Sequence, residues 1–234
     1  LNGTKHFVRL AGRATTILTL ARTSPGDSPR EGLSFFLVDA RAPGITARAL
    51  DLVGTASLGL GEVRYENVAV SREDLLGGPE GLERGREQWA ALQEAEHLEI
   101  AACGLGLAQG AYDYAVQYAK ERVQFGRPII AFSAVKDMLV EMAVRIRAAR
   151  LVTYQAACLA DEEKRCAAEA ATARILAVET ARNASLDGVQ VLGGYGYTME
   201  YDAQRYVRDS LVLLGGAGPQ EMLRGDLGEL LGLG

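Results

Sequence analysis

The chain has 234 residues, 48% hydrophobic and 24% charged, with a formal net charge of −5. That size supports one large domain or two ordinary ones around a real core. The acidic balance and dispersed basic residues exclude a nucleic-acid backbone as the main partner, and no run reaches the ~18 apolar residues of a membrane span.

In chain order, the first third reads as strands. Thr15 to Leu20, Leu33 to Val38, Ile45 to Leu50 and Gly61 to Asn67 are short, partly alternating and rich in β-formers. Turn clusters such as Ser24-Pro-Gly-Asp-Ser-Pro29 and Ala42-Pro-Gly44 separate them. The stretch Leu76-Gly-Gly-Pro-Glu-Gly81 then punctuates the chain before composition shifts to Ala, Glu, Leu, Arg and Gln. Helices are predicted near residues 82–120, 133–160, 162–192, 200–214 and 219–232. In the second, Val135, Met138, Leu139 and Met142 fall on one stripe. The expected fold class is α+β: a small antiparallel β-barrel or sandwich domain over 1–80, followed by an up-and-down bundle of four-helix type over 81–234.

Cys103, Cys158 and Cys166 form no metal-type pair and read as buried free thiols in a reducing compartment, so the expected localisation is cytoplasmic. His6 and His97, the only histidines, lie far apart with no third ligand nearby, which argues against a zinc site.

Two segments carry the chemistry: Glu121-Arg-Val-Gln-Phe-Gly-Arg-Pro-Ile129 and Gln190-Val-Leu-Gly-Gly-Tyr-Gly-Tyr197. Together they offer a guanidinium, an amide and glycines bare enough for close backbone approach, which suits a pyrophosphate-bearing cofactor. Glycine runs more often end helices than bind phosphate, so the ordered pair carries the signal rather than either alone.

This pair resembles the acyl-CoA dehydrogenase family, as do Leu1-Asn-Gly-Thr-Lys5, which is similar to the entry of its middle β-domain, and Tyr206-Val-Arg-Asp209, similar to its late Tyr-x-Arg-Asp signature. The resemblance spans the chain and implies a further helical domain before Leu1. It implies FAD as cofactor, an acyl-CoA substrate, an electron-transferring flavoprotein as partner, and a homotetramer. Arg122, Phe125, Gln190, Gly193 and Gly194 match positions on the pyrophosphate and adenosine side of FAD, and Phe7 matches an aromatic beside the flavin. His97 and Gly218 match positions that line the substrate.

Removal of an α-proton from a thioester needs a carboxylate base, and Ala217 occupies the family's usual position for it. In a minority of the family the base sits instead on the first long helix of the bundle, at the position of Glu96. At helical spacing Leu92, Glu96, Ile100, Cys103 and Leu107 share a face, so Glu96 interrupts an apolar stripe. A solvated acidic face with Glu94 and Glu99 is the competing reading. Departures fall on the flavin half: Arg9 stands where the family has a small hydroxyl, and Pro219 where it has a threonine. The resemblance thus leaves three functions open: an FAD-dependent acyl-CoA dehydrogenase with Glu96 as base, a non-catalytic partner subunit of a mixed oligomer, or a flavin oxidase or monooxygenase.

Overall fold

Alternation of apolar and polar side chains shapes the first part of the molecule, seen in a computed structural model that describes residues 1–28, 31–55, 59–216 and 218–233. The described residues of this part form the strands β1 (Gly3–Val8), β2 (Thr16–Arg22), β3 (Leu33–Asp39), β4 (Ile45–Ala49) and β5 (Gly61–Tyr65). β5 pairs antiparallel with β1 on one side and β4 on the other, and β2 pairs with β3 as a separate ribbon. Ile17 and Thr19 of β2 and Phe36 and Val38 of β3 turn inward, whereas Leu18 and Leu37 between them face out, as the two-residue period of a half-buried strand requires. Val63, Tyr65, Val68 and Leu75 complete this core. Tyr65 keeps its hydroxyl satisfied there through Thr19 Oγ1 at 2.8 Å.

The strand β1 has no counterpart in the sequence reading because its residues are nearly all exposed and supply no alternation. Its register against β5 slips between Lys5 and Val8, a bulge that places Phe7 at φ 58 with 68% of its surface exposed.

Helix α1 (Gly85–Glu121) begins in the first compact unit, Leu1–Leu92, and continues into the second, which starts at Gln93. Its opening turns belong to the β-unit: Trp89 stacks on Phe35 with centroids 6.2 Å apart, and Gln88 Nε2 donates to Leu76 O at 2.6 Å. These contacts hold the first turns of α1 in the β-unit.

The second unit holds α2 (Ser133–Asp161), α3 (Ala167–Leu192), α4 (Ala203–Gly215) and α5 (Gln220–Leu230), with a two-stranded hairpin, β6 (Val123–Gln124) and β7 (Arg127–Pro128), between α1 and α2. Leu139, Met142, Ile146 and Ala149 carry the buried stripe of α2, with Val135 and Met138 half-buried beside it. Helix α3 is buried nearly all round by Ala170, Ala173, Ala177, Ala181 and Ala184, which marks it as the central rod. Small residues let the helices approach closely: a Cβ on Gly104 of α1 would meet Ala177 backbone at 3.0 Å. The β-domain followed by a helical bundle is the expected fold class.

Two expectations are corrected. The inward face of α1 carries His97, Ile100, Ala101, Gly104, Leu105, Ala108, Ala115 and Ala119, with Leu107 packed against it; of the expected stripe Ile100 and Leu107 turn inward, whereas Leu92 and Cys103 are exposed. Small residues dominate the contact face, with Ile100 and Leu105 as its larger members. Of the three thiols only Cys166 is buried; Cys103 and Cys158 are exposed. Each lies two residues, roughly 200° of helix, after a buried alanine, Ala101 and Ala156, and so points outward.

Candidate functional site

Two constellations form within the helical unit. The first joins the two glycine-bearing motifs. α1 ends at Glu121, and the Arg122 N–H still bonds back to Tyr118 O at 2.8 Å while Arg122 O accepts from Ile129 N at 2.8 Å. The last turn of α1 and the residue that follows the hairpin thus hold the Arg122 backbone from both sides. Its guanidinium carbon lies 5.5 Å from the Tyr195 ring centroid, a cation–π contact to the second motif.

These residues line a cavity of about 460 Å³ together with Tyr118, Gln124, Gly193, Gly194 and Thr198. Gly193 has φ 59 and ψ −134, a conformation open in practice only to glycine, and its N–H bonds to Gln190 O to end α3. A Cβ on Gly193 would meet nothing within 4 Å, and one on Gly194 only Tyr197 Oη at 3.7 Å, so side-chain-free backbone faces open space. Burial pushes the Tyr118 phenol up from its ordinary value, against the opposing pull of Arg122. Phe125 stands 93% exposed at the hairpin tip at φ 52, followed by Gly126 at φ 79, and Gln190 lies exposed just before the cavity-lining residues begin at Val191. A fixed guanidinium, a phenol and bare backbone can hold an anionic group beside a planar ring.

The second constellation centres on Arg174, which the sequence reading did not single out. Only 1% of Arg174 is exposed. Its Nη1 donates to His97 Nδ1 at 3.2 Å, and its Nη2 donates to Gly218 O at 2.8 Å and to Gly216 O. Because a guanidinium only donates, Nδ1 must accept, which fixes the His97 tautomer with its proton on Nε2. Burial first, and Arg174 second, push the His97 pKa down to about 4, while Asp226 and Glu94 pull the other way. Burial also lowers the Arg174 pKa from its ordinary value, and the charge of Glu96 opposes that fall.

Glu96 is half-buried on α1, next in sequence to His97 and within electrostatic reach of Arg174. Gly216 lies against Ile100, one turn further along the helix, where an added Cβ would stand 3.4 Å from Ile100 Cδ1. The structure therefore gathers Glu96, His97 and Gly218 around one cation. Ala217 falls outside the described residues, and Phe7 belongs to the β-unit, on its bulge. The signal for Arg174 was present: it is the only charge between Glu169 and Glu179 in an alanine-rich helix.

Residues 84–232 match the family described as Acyl-CoA dehydrogenase, C-terminal domain, and residues 1–68 match its middle domain. The chain belongs to the acyl-CoA dehydrogenase family. It is 40% identical over 216 residues to an acyl-CoA dehydrogenase of Bacillus subtilis (strain 168), covering 91% of this chain and 55% of that protein. It is 35% identical to the caffeyl-CoA reductase-Etf complex subunit CarC of Acetobacterium woodii, again over 91% of this chain and 55% of that protein. Among solved structures, butyryl-CoA dehydrogenase from Megasphaera elsdenii matches with a TM-score of 0.93 at 31% identity, covering 99% of this chain and 60% of that one. The chain thus spans a little over half the length of these family relatives.

Proposed function

We propose that this chain supplies the base and part of the cofactor site of an FAD-dependent dehydrogenase that oxidises an acyl-CoA thioester between its α and β carbons. The observation that carries the reading is the gathering of Glu96, His97 and the main chain of Gly216 and Gly218 around Arg174. Glu96 takes the α-proton onto a carboxylate oxygen. The flavin, when bound, accepts the hydride that leaves the β carbon. The buried Arg174 guanidinium is a fixed charge within electrostatic reach of Glu96, so part of its surroundings is preorganised.

The residues of the first cavity fit the phosphate-bearing half of FAD. Arg122 presents a planar cation suited to two phosphate oxygens, Gly193 and Gly194 leave backbone uncovered, and Phe125 offers an exposed ring. Phe7, exposed on its bulge, is available to pack beside a flavin. His97 acts on the substrate side through Arg174, and Gly218 through its main chain.

An electron-transferring flavoprotein is the proposed acceptor, in line with a relative whose name places it in an Etf complex. The proposed assembly is a homotetramer, and Val140, Val144 and Leu151, which share an outward face of α2 and are each more than half exposed, offer an apolar strip for association of subunits. The test is Glu96→Gln in the complete protein loaded with FAD, assayed with a panel of acyl-CoAs. Turnover falling ~10²–10⁴-fold with flavin retained supports the base assignment, and unchanged turnover removes it. Flavin uptake by a protein that turns over no acyl-CoA even before substitution would instead support a non-catalytic subunit.

A further inference from the structure

We infer that Arg174 is a positioning residue for this reaction: its forked guanidinium, shared between His97 and the carbonyls of Gly216 and Gly218, fixes the loop joining α4 to α5 against the turn of α1 that carries Glu96. The inference rests on the reading of Glu96 as the base.

A cation inside an alanine-rich bundle is costly unless its donors are met, and a hydrophobic side chain would pack there at no such cost. Arg174 is nonetheless fully buried in α3, and its acceptors come from two different segments, α1 and the 216–218 loop. A planar fork can hold such separated acceptors in one geometry, whereas a lysine ammonium concentrates its donors at one point. The described residues on either side of this turn are not helical: α4 ends at Gly215, its C-cap Gly216 is extended, and Gly218 sits at φ 96. Gly216 faces Ile100, one turn from Glu96: a Cβ added to it would stand 3.4 Å from Ile100 Cδ1. Charges facing the network are Glu96 and Glu94 from α1 and Asp226 from α5. Proton abstraction requires the α-carbon within hydrogen-bond reach of Glu96, and a drift of the adjoining wall by about 1 Å is enough to slow such a step severely.

The experiment compares Arg174→Lys with Glu96→Gln in the complete FAD-loaded protein, reading bound flavin, kcat, KM and the isotope effect with α-deuterated acyl-CoA. The expected result for Arg174→Lys is full flavin content, KM within about twofold, kcat lower by at least about tenfold, and a larger isotope effect on kcat, because the proton step becomes more rate-limiting. Wild-type kcat in Arg174→Lys, or a fall matched by flavin loss with an unchanged isotope effect, overturns the inference. If Glu96→Gln keeps wild-type turnover, the base assignment fails first, and with it the step that Arg174 serves. Should Arg174→Lys not fold, His97→Asn and His97→Gln report on the same contact. Asn places its oxygen where Nδ1 accepts and Gln does not, so Asn is expected to retain several-fold more kcat, and equal values overturn the inference.

Discussion

Arg122 and Tyr195, 73 positions apart in sequence, meet with the guanidinium carbon 5.5 Å from the ring centroid. This contact ties the end of α1 to the glycine turn after α3, and it aims one cation into the cavity that both motifs line. Arg122→Ala is expected to weaken FAD binding by roughly 10- to 100-fold, the worth of a charge-assisted hydrogen bond of about 1.5–3 kcal/mol. Fluorescence titration of the apoprotein measures it. Arg122→Lys keeps the charge but not the fork and should fall between.

Gly193 and Gly194 separate backbone need from ligand need. Gly193→Ala forces a side chain into a glycine-only conformation and should cost about 1–3 kcal/mol of stability. Gly194→Ala adds a methyl that meets only Tyr197 Oη at 3.7 Å, so urea unfolding should move by less than about 0.5 kcal/mol. The same methyl faces the cavity, and FAD affinity should drop. Undiminished affinity in Gly194→Ala would show that the ligand lies elsewhere.

Phe125 breaks two local rules at once, as a bulky residue at φ 52 and an aromatic ring 93% exposed. Asparagine suits that hairpin position better, so Phe125→Asn should raise the unfolding free energy by about 0.5–1 kcal/mol while weakening cofactor binding or subunit association. Calorimetry with and without FAD separates the two effects. A variant that gains stability and loses neither would show the ring to be idle.

His97 links stability to pH. Its folded pKa is about 4 against an ordinary 6.5, so between those values the unfolded chain binds the extra proton. The contribution is whole above pH ~6.5, is lost as pH falls toward ~4, and changes no further below that. Its size is of the order of 3 kcal/mol. Urea unfolding at steps across that window should show the slope, and His97→Asn should flatten it. An unaltered slope in the variant would assign the effect to other groups.

Much of the architecture was legible because composition changes sharply. The alanine- and leucine-rich segments become α1 to α5 with ends shifted by a few residues, and the alternating runs become β2 to β5. β1 was hidden because exposed polar residues carry no period, and its partner β5 recruits it through backbone bonds. The face of α1 was misjudged for a physical reason: Leu92 and Cys103 outrank alanine in hydrophobicity, yet close helix contact selects Ala101, Gly104 and Ala108 for their size. The two glycine-bearing motifs could be picked out because the residues of each lie close in sequence, and the fold brings them to one cavity. Arg174 could not be assigned a partner in advance, since His97 and Gly218 are distant in sequence and meet it only in the folded bundle.

In the proposed reaction Glu96 removes the substrate's α-proton. Rapid mixing of the FAD-loaded complete protein with an acyl-CoA, followed through bleaching of the flavin band, measures that step before any electron acceptor intervenes. Glu96→Gln is expected to bind flavin and substrate as before but to bleach ~10²–10⁴-fold more slowly. Bleaching at the unsubstituted rate would contradict it.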